Sequence, residues 1–307
     1  VDPAAFGMTP RAFHVATAKQ AKRWPHTMLA TSTHDNKRSE DVRNRINVIA
    51  EMPAAWRLML RRWTALNRRH KAADHAPSAA DEYLLYQTLL GTLPIGPFDD
   101  DVLSAWRERV QAYMTKAARE AKRYTSWVNP DADYEAALHA FVDALLKRVE
   151  PNPFLDDLRR QGEALAWFGA LNSLSMTLIK FTAPGVPDIY QGNEIMDFSL
   201  VDPDNRRPVD YELRESLLNA FDGMAAMPAA LTANPHDGRA KLWLTSRLLA
   251  VRRESPALLR DGSYTPLRVV GSRAENVVAF ARTCSDKTML IALAGRLLSK
   301  LGGAPGV

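Results

Sequence analysis

Cysteine and long apolar runs are both scarce in this sequence, and each scarcity excludes a class of protein. A single cysteine, Cys284, among 307 residues excludes an internal disulfide and a cysteine-based zinc site. No apolar run approaches the roughly 18 uncharged residues of a membrane helix, and no basic-then-apolar leader precedes the first helical pattern. We therefore expect a cytoplasmic protein with no membrane-spanning segment and no membrane partner.

A large excess of charge of one sign is also lacking, and this argues against a nucleic-acid partner. Lysine and arginine total 40 against 35 aspartates and glutamates, so the net charge is +5. Basic clusters at Arg61-Arg62 and at 68–71 lie inside a helical pattern, as on a solvated helix face, without any zinc-finger, homeodomain or RNA-binding signature. The hydrophobic share of 46% and charged share of 24% are ordinary for a globular chain.

Strand patterns are few before residue 260. One short buried strand is predicted over 26–31 and a second over 186–190, whereas a complete (β/α)8 barrel takes about 250 residues and eight strands. The sequence therefore predicts pieces of a barrel. The start of a small β domain is predicted from strands over 264–270, 276–282 and 287–293. Helices are predicted over 39–71, 80–91, 100–125, 131–149, 154–181, 211–222 and 239–254.

Polar loops follow the two barrel-type strands. The first holds His34-Asp35, an imidazole beside a carboxylate, as on the catalytic face of a barrel. Taken alone, this pair also fits a loop that caps the next helix, for which Ser39 is the predicted N-cap. The second loop, 190–208, is rich in groups that hydrogen-bond hydroxyls, and taken alone it also fits a solvated linker.

Longer strings around these loops resemble maltooligosyltrehalose synthases, which belong to the α-amylase superfamily of glycosidases and transglycosidases. Thr31–Arg43 is similar to their loop after strand seven, and Ala183–Gly192 to the strand-eight signature of the superfamily. Ser199–Tyr211 and Lys241–Glu254 resemble an extension of the trehalose-forming branch and its final barrel helix. The resemblance covers nearly the whole chain, and the long strings are more specific than the short motifs inside them.

The resemblance implies an intramolecular transglucosylation. The reducing-end α-1,4 bond of a maltooligosaccharide becomes an α,α-1,1 bond, by a retaining mechanism with two carboxyl groups about 5–5.5 Å apart. A third carboxylate, after strand seven, binds sugar hydroxyls. Asp35 matches this third carboxylate, and His34 matches the histidine beside it.

Substrate-binding residues follow from the same resemblance and from position. Asp35 is the predicted catalytic residue, and Tyr190, at a strand end, is the best placed to stack on a sugar ring. An ion-pair cluster that merely holds the loops is an open alternative for the charged residues. No metal or organic cofactor is needed, and the tryptophans at 56, 63, 106, 127 and 167 are predicted core residues. The predicted substrate-binding residues are His34, Lys37, Arg38, Tyr190, Asn205 and Arg206.

The nucleophile and the general acid have no counterpart here, because their loops would lie N-terminal to Val1. We expect the C-terminal part of the enzyme, inactive by itself on maltooligosaccharide and partnered by the missing N-terminal part of the barrel. The predicted architecture is α/β and helix-rich. It comprises a barrel segment with strand seven (1–39), an all-helical insertion (40–160), a barrel segment with strand eight (161–255) and a partial C-terminal β domain (256–307).

Two other functions stay open. A hydrolase of the same superfamily would share Asp35 and His34 and would differ in how well the reducing end is shielded from water. A non-catalytic helical module that binds oligosaccharide or a partner protein is favoured by the missing nucleophile. In such a module the substitution Asp35→Asn would leave ligand binding and function unchanged.

Overall fold

Packing divides the chain into two units, in a computed structural model that describes residues 7–72, 76–148, 151–221 and 229–302. The helical unit contains His34–Gly169 and Asp197–Arg207. The strand unit contains the described residues up to Thr33, with Ala170–Met196 and Pro208–Gly302. The helix-rich α/β architecture with small sheets agrees with the prediction, while the predicted domain boundaries at 39, 160 and 255 stay a prediction.

Most predicted elements are present, with shifted ends. In chain order the helices are α1 (Pro10–Arg23), α2 (Glu40–Val48), α3 (Pro53–Asn67), α4 (Ala79–Thr92), α5 (Asp100–Ala121), α6 (Ala132–Leu145), α7 (Pro153–Thr182), α8 (Tyr211–Asn219), α9 (Ala229–Ala233), α10 (Arg239–Glu254) and α11 (Pro256–Arg260). The strands are β1 (Met28–Leu29), β2 (Val186–Pro187), β3 (Ser263–Pro266), β4 (Val277–Thr283) and β5 (Met289–Gly295).

The single helix predicted over 39–71 is wrong. The chain leaves α2 through a 3-10 turn, Ile49–Glu51, and α3 begins at Pro53. Proline lacks the N–H that a helix interior needs and fits the first helical position, so it separates the two helices. Side-chain caps define the next starts, since Ser78, Asp99 and Asp131 each accept an N–H from the first turn of α4, α5 or α6.

An aromatic cluster forms part of the core of the helical unit. Trp63 is fully buried and meets Trp56, Tyr86 and Phe154 edge to face, with ring centroids 5.5 to 5.9 Å apart. Its indole N–H donates to Asp157 Oδ2 at 2.8 Å. The core prediction is confirmed for residues 56, 63 and 106, which are all buried, and is wrong for Trp127, which is exposed.

The strand unit contains two small sheets. Strands β1 and β2 run parallel and pair over two residues each, Met28 with Val186 and Leu29 with Pro187. The predicted strands at these places are therefore much too long. The second sheet is antiparallel in the order β3-β4-β5 and confirms the three strands predicted near the C-terminal end of the described chain.

One helix among the described residues, α7, is long and apolar enough to cross a membrane by length and composition alone. The expectation that no run approaches a membrane span is wrong for this helix. Half of its most apolar window is buried inside the structure. Because core helices of soluble proteins pass the same test, α7 is weak evidence for a membrane.

Candidate functional site

The helical unit brings the two sequence-predicted loops together. The side-chain amide of Asn205 donates to the main-chain oxygen of His34 at 2.8 Å. Four residues further along the first loop, Arg38 forms an isolated antiparallel bridge with Leu200. Two strings far apart in sequence, each carrying part of the family resemblance, therefore form one local structure.

The side chains of His34 and Asp35 are exposed to solvent in this local structure. The imidazole Nε2 is 3.2 Å from Asp35 Oδ2, and the side chains are 56% and 85% exposed. The loop main chain thus presents an imidazole and a carboxylate to solvent side by side. Such a pair can accept and donate hydrogen bonds to the vicinal hydroxyls of a sugar.

The start of α2 anchors the second loop at Asp197. The main-chain N–H of Ser39 donates to Ser199 O at 2.9 Å, and its hydroxyl donates to the main-chain oxygen of Asp197. The Asp197 N–H in turn donates to Asp41 Oδ2 at 2.8 Å. Ser39 therefore occupies the predicted N-cap position, but its side chain binds the neighbouring loop and makes no capping hydrogen bond to α2.

A buried arginine lies under the same loop. The guanidinium of Arg45 lies 3.5 Å from the ring centroid of Phe198, and Nη1 donates to Leu93 O at 2.7 Å. Burial lowers the pKa of Arg45 to about 9, and the negative charge of Asp41 partly opposes that shift. The side chain thus still carries its charge at neutral pH, inside the unit and beside the loop.

A guanidinium–carboxylate fork fastens the end of the second loop to α5. Arg109 Nε and Nη2 donate to the two carboxylate oxygens of Asp204 at 2.8 and 2.9 Å, and Nη2 also donates to Phe198 O at 2.7 Å. Asp204 Oδ2 accepts the Leu200 N–H at 2.7 Å. Burial raises the pKa of Asp204, but the bonds from Arg109 and Leu200 outweigh it, so the net pKa lies below the usual value.

The other predicted charged residues each have a protein partner. Lys37 Nζ is 2.7 Å from Glu120 Oε2, and Arg206 Nε is 3.0 Å from Asp202 Oδ1. Arg38 Nη2 donates to Thr88 Oγ1 at 3.0 Å, and its guanidinium lies over the Tyr113 ring. These contacts are what the ion-pair alternative predicts, and they leave the substrate-binding roles as predictions.

A cavity of about 410 Å³ borders the anchored loop. Its lining combines Tyr113, Leu200 and Pro203 with charged residues such as Lys116 and Arg207. The Lys116 ammonium donates to Asp202 O at 2.6 Å. Space for a small molecule therefore exists beside the loop that carries Asn205.

Tyr190 belongs to the strand unit. It is half-buried, and its main-chain oxygen accepts the Asn193 N–H at 3.0 Å at the start of a turn. In the same stretch Glu194 pairs with Arg214 at 2.9 Å. Stacking of Tyr190 on a sugar ring stays a prediction. In the part of the chain that the structure describes, no group of three His, Cys, Asp or Glu residues could hold a metal ion.

Sequence reasoning did not find Arg109, Asp204 or Arg45. The partners in the fork are 95 residues apart, and Arg109 lies in an ordinary amphipathic helix. The one available signal was the alternation of acids and bases over 202–207, which marks a segment able to pair with a distant charge.

Comparisons with known proteins agree on one kind of relative, although no protein-family model matches the chain. A Mycobacterium tuberculosis protein named a maltooligosyl trehalose synthase is 35% identical over 281 residues, which is 92% of this chain and 33% of the relative. The solved maltooligosyltrehalose synthase of Arthrobacter ramosus matches with a TM-score of 0.81 and 36% identity, over 98% of this chain and 36% of that one.

A hypothetical maltooligosyl trehalose synthase of Sulfolobus tokodaii matches with a TM-score of 0.76 and 31% identity, over 95% of this chain and 36% of its own. The chain thus spans about one third of the length of the relatives it matches. The resemblance carried by the loop strings is confirmed, and the chain is a homologue, over that third, of maltooligosyltrehalose synthases.

Proposed function

We propose that this chain is the C-terminal part of an isomerase that converts the reducing-end α-1,4 bond of a maltooligosaccharide to an α,α-1,1 bond. The observation that carries the proposal is the hydrogen bond from Asn205 to the His34 main chain. It joins the two strings that resemble this enzyme family, and it does so at the exposed imidazole–carboxylate pair. The similarity to named synthases over 92% of the chain supports it independently.

In the proposed reaction Asp35 acts on the sugar and not on the scissile bond. The nucleophile and the general acid come from the part of the enzyme outside this chain. Asp35 accepts hydrogen bonds from hydroxyls of the reacting glucose, and these strengthen as the ring flattens toward an oxocarbenium-like state. His34 binds the same sugar, while Lys37, Arg38, Asn205 and Arg206 hold the hydroxyls of the migrating glucose or orient the carboxylates around it.

The proposed architecture is the last part of a (β/α)8 barrel. The parallel pair β1 and β2 would be strands seven and eight, with residues 40–160 inserted between them and a β domain beginning near residue 256. The two-residue parallel pairing of β1 with β2 supports this assignment. The insertion would help exclude water, so that the freed glucose attacks again through its anomeric hydroxyl.

In this proposal the chain alone is inactive, because it lacks two of the three carboxylates. Its partner is the N-terminal part of the barrel, its substrate is a maltooligosaccharide, and it needs no cofactor. It works in the cytoplasm, away from nucleic acid and membranes.

The test is conversion of maltopentaose by the complete polypeptide that contains these 307 residues. We expect Asp35→Asn to lower kcat by roughly 10²–10³-fold, because a hydrogen-bonding group aimed at the developing charge is lost. The matched control is Asp133→Asn, which changes another exposed carboxylate, on α6, and should leave the rate unchanged. An unaltered rate in Asp35→Asn would contradict the proposal and favour the non-catalytic module.

A hydrolase of the same superfamily is the second candidate, because it would share the adjacent imidazole and carboxylate of His34 and Asp35, which lie 3.2 Å apart. The same assay separates the two enzymes by product. The isomerase yields a non-reducing sugar of unchanged length, whereas the hydrolase yields shorter sugars with new reducing ends.

A further inference from the structure

Arg109 donates hydrogen bonds to a loop that is far away in the sequence. Three of its bonds go to residues of the second loop, two to the Asp204 carboxylate and one to Phe198 O, at 2.7 to 2.9 Å. The fork is largely buried, with the two side chains 23% and 13% exposed. A bidentate guanidinium–carboxylate pair fixes both distance and orientation, which a lysine cannot do.

The contacts continue from this fork to the His34–Asp35 loop. The carboxylate that Arg109 holds also accepts the Leu200 N–H, so it braces the turn that carries residues 200–205. Asn205, the residue after Asp204, donates to the His34 main-chain oxygen. Leu200 itself bridges Arg38 at the far end of the first loop. Both ends of the loop that presents Asp35 are thus held by the segment that Arg109 fastens.

The geometry points to Arg109 as a positioning residue for Asp35, acting through Asp204 and Asn205 and never touching substrate. The inference rests on the proposed function, since it assigns Arg109 to the same reaction. The helical unit would then help to position the catalytic carboxylate, in addition to enclosing the substrate. The physical reason is that a carboxylate that stabilises a transition state must be held to a fraction of an ångström, and misplacement by about 1 Å can cost 10²-fold in rate.

A matched control lies ten residues away on the same helix. Arg119 Nε and Nη2 fork onto Glu135 at 2.7 and 2.7 Å, and these side chains are 27% and 14% exposed. The two forks have similar N–O distances and similar burial. Arg119, however, pairs with α6 and has no hydrogen bond to the 197–207 segment among those of the described residues. Arg119→Lys therefore measures what loss of a fork does to α5 in general.

The first test uses the complete polypeptide that contains these residues, and its readouts need no activity. We record the ¹⁵N-labelled imidazole signals of His34, assigned with His34→Gln, together with amide hydrogen exchange over 34–38. Arg109→Lys and Asp204→Asn are expected to shift the imidazole signals and to speed the exchange, and the double variant should add nothing to either change. Arg119→Lys is expected to leave both readouts at the wild-type values while lowering the Tm by a similar amount.

The second test uses the complete polypeptide and maltopentaose. We expect Arg109→Lys to lower kcat by about tenfold to a hundredfold with KM changed less than about threefold, because placement of a transition-state group is lost while substrate contacts remain. Arg119→Lys should change neither value.

The outcomes separate this inference from the proposed function. Equal responses of Arg109→Lys and Arg119→Lys, or a response of Arg109→Lys confined to the Tm, overturn the inference even if Asp35→Asn abolishes turnover. Loss of turnover in Asp35→Asn together with an unshifted His34 signal in Arg109→Lys also overturns it. An active Asp35→Asn enzyme overturns the proposed function, whatever the His34 signals show.

Discussion

The two units use buried arginines in different ways. In the helical unit guanidiniums mostly meet carboxylates, as in Arg109 with Asp204 and Arg119 with Glu135. In the strand unit Arg252 and Arg282 donate to main-chain oxygens, and Arg214, which pairs with Glu194, also donates to two main-chain oxygens. Arg252 donates to Phe181 O and Gly185 O, and Arg282 donates to Thr182 O, Leu259 O and Gly262 O, at 2.7 to 3.1 Å.

The difference follows from where each unit leaves backbone groups unpaired. The last carbonyls of a helix have no partner in the helix, and α7 ends at Thr182, inside the strand unit. Strands of two residues supply few ladder bonds to compensate. Arginines from α10 and β4 therefore satisfy these carbonyls. The comparison teaches that guanidiniums pair with carboxylates where helices pack together, and that guanidiniums donate to unpaired main-chain carbonyls where the strands are short.

The largest expected effect comes from removing the capping guanidinium in the strand unit. Arg282 is 1% exposed, so Arg282→Met would remove the guanidinium donor from two buried carbonyls, Thr182 O and Leu259 O, and from the partly buried Gly262 O. We expect a loss of about 3 kcal/mol or more in the free energy of unfolding, since each unsatisfied buried group costs about 1–3 kcal/mol. Urea unfolding followed by circular dichroism measures it. A loss below about 1 kcal/mol would mean that the backbone caps are dispensable and would break the comparison.

The second expected effect is a loss of stability in acid, which should occur in the helical unit and not in the strand unit. The hydrogen bond from Arg119 is the main cause that lowers the pKa of Glu135 to about 2, from a usual 4.5. A carboxylate with a lowered folded-state pKa stabilises the fold above its unfolded pKa, and the stabilisation is lost as pH falls. Between about pH 4.5 and pH 2 the helical unit should therefore lose the stabilisation that this pair contributes, which solvent screening keeps modest.

Hydrogen exchange read separately for each unit checks the acid prediction. Amides of α5 and α6 should exchange faster as the pH falls through this range, after correction for intrinsic rates. The guanidinium–carbonyl bonds of the strand unit do not titrate there, so amides of β4 should change less. Glu135→Gln should remove this part of the pH dependence, and an unchanged acid profile in that variant would contradict the account.

The smallest expected effect concerns the exception in the helical unit. Arg45 donates to Leu93 O, just past the end of α4, as the strand-unit arginines do for α7. A Cβ on Gly169 of α7 would lie 2.8 Å from the Arg45 Cα, so Gly169→Ala must push α2 away. We expect a loss of about 1–2 kcal/mol from this overpacking.

Gly162, seven residues earlier on α7, is the control for that substitution. A Cβ there would meet only the Leu93 side chain within 3.6 Å, and a leucine side chain can turn aside. The gain in helix propensity is common to both substitutions, so Gly162→Ala should cost less than Gly169→Ala because only the Gly169 Cβ meets backbone atoms. Thermal unfolding of both variants gives the comparison, and equal Tm values would contradict a rigid contact at Arg45.

The sequence predicts local features of this molecule better than distant pairings. Helical periodicity with polar caps identifies α4 to α7 within a few residues, because each helix is specified by its own side chains. The lengths of strands β1 and β2 are overestimated. A strand ends where its pairing with the neighbouring strand ends, whereas the run of apolar residues continues beyond that point. Among the site residues, the His34-Asp35 loop is visible as a string, whereas Arg109 is not, since its partner lies 95 residues away.

The measurement that tests the central claim most directly is the coding DNA upstream of Val1, read for about 500 codons, enough for the barrel part that this chain lacks. The account predicts an uninterrupted in-frame extension that carries two carboxylates at the ends of successive strand patterns. Asp35 would then be the third carboxylate of one active site. A start codon near Val1 with no such extension would contradict the account, and the oligosaccharide- or protein-binding module would become the better explanation of this chain.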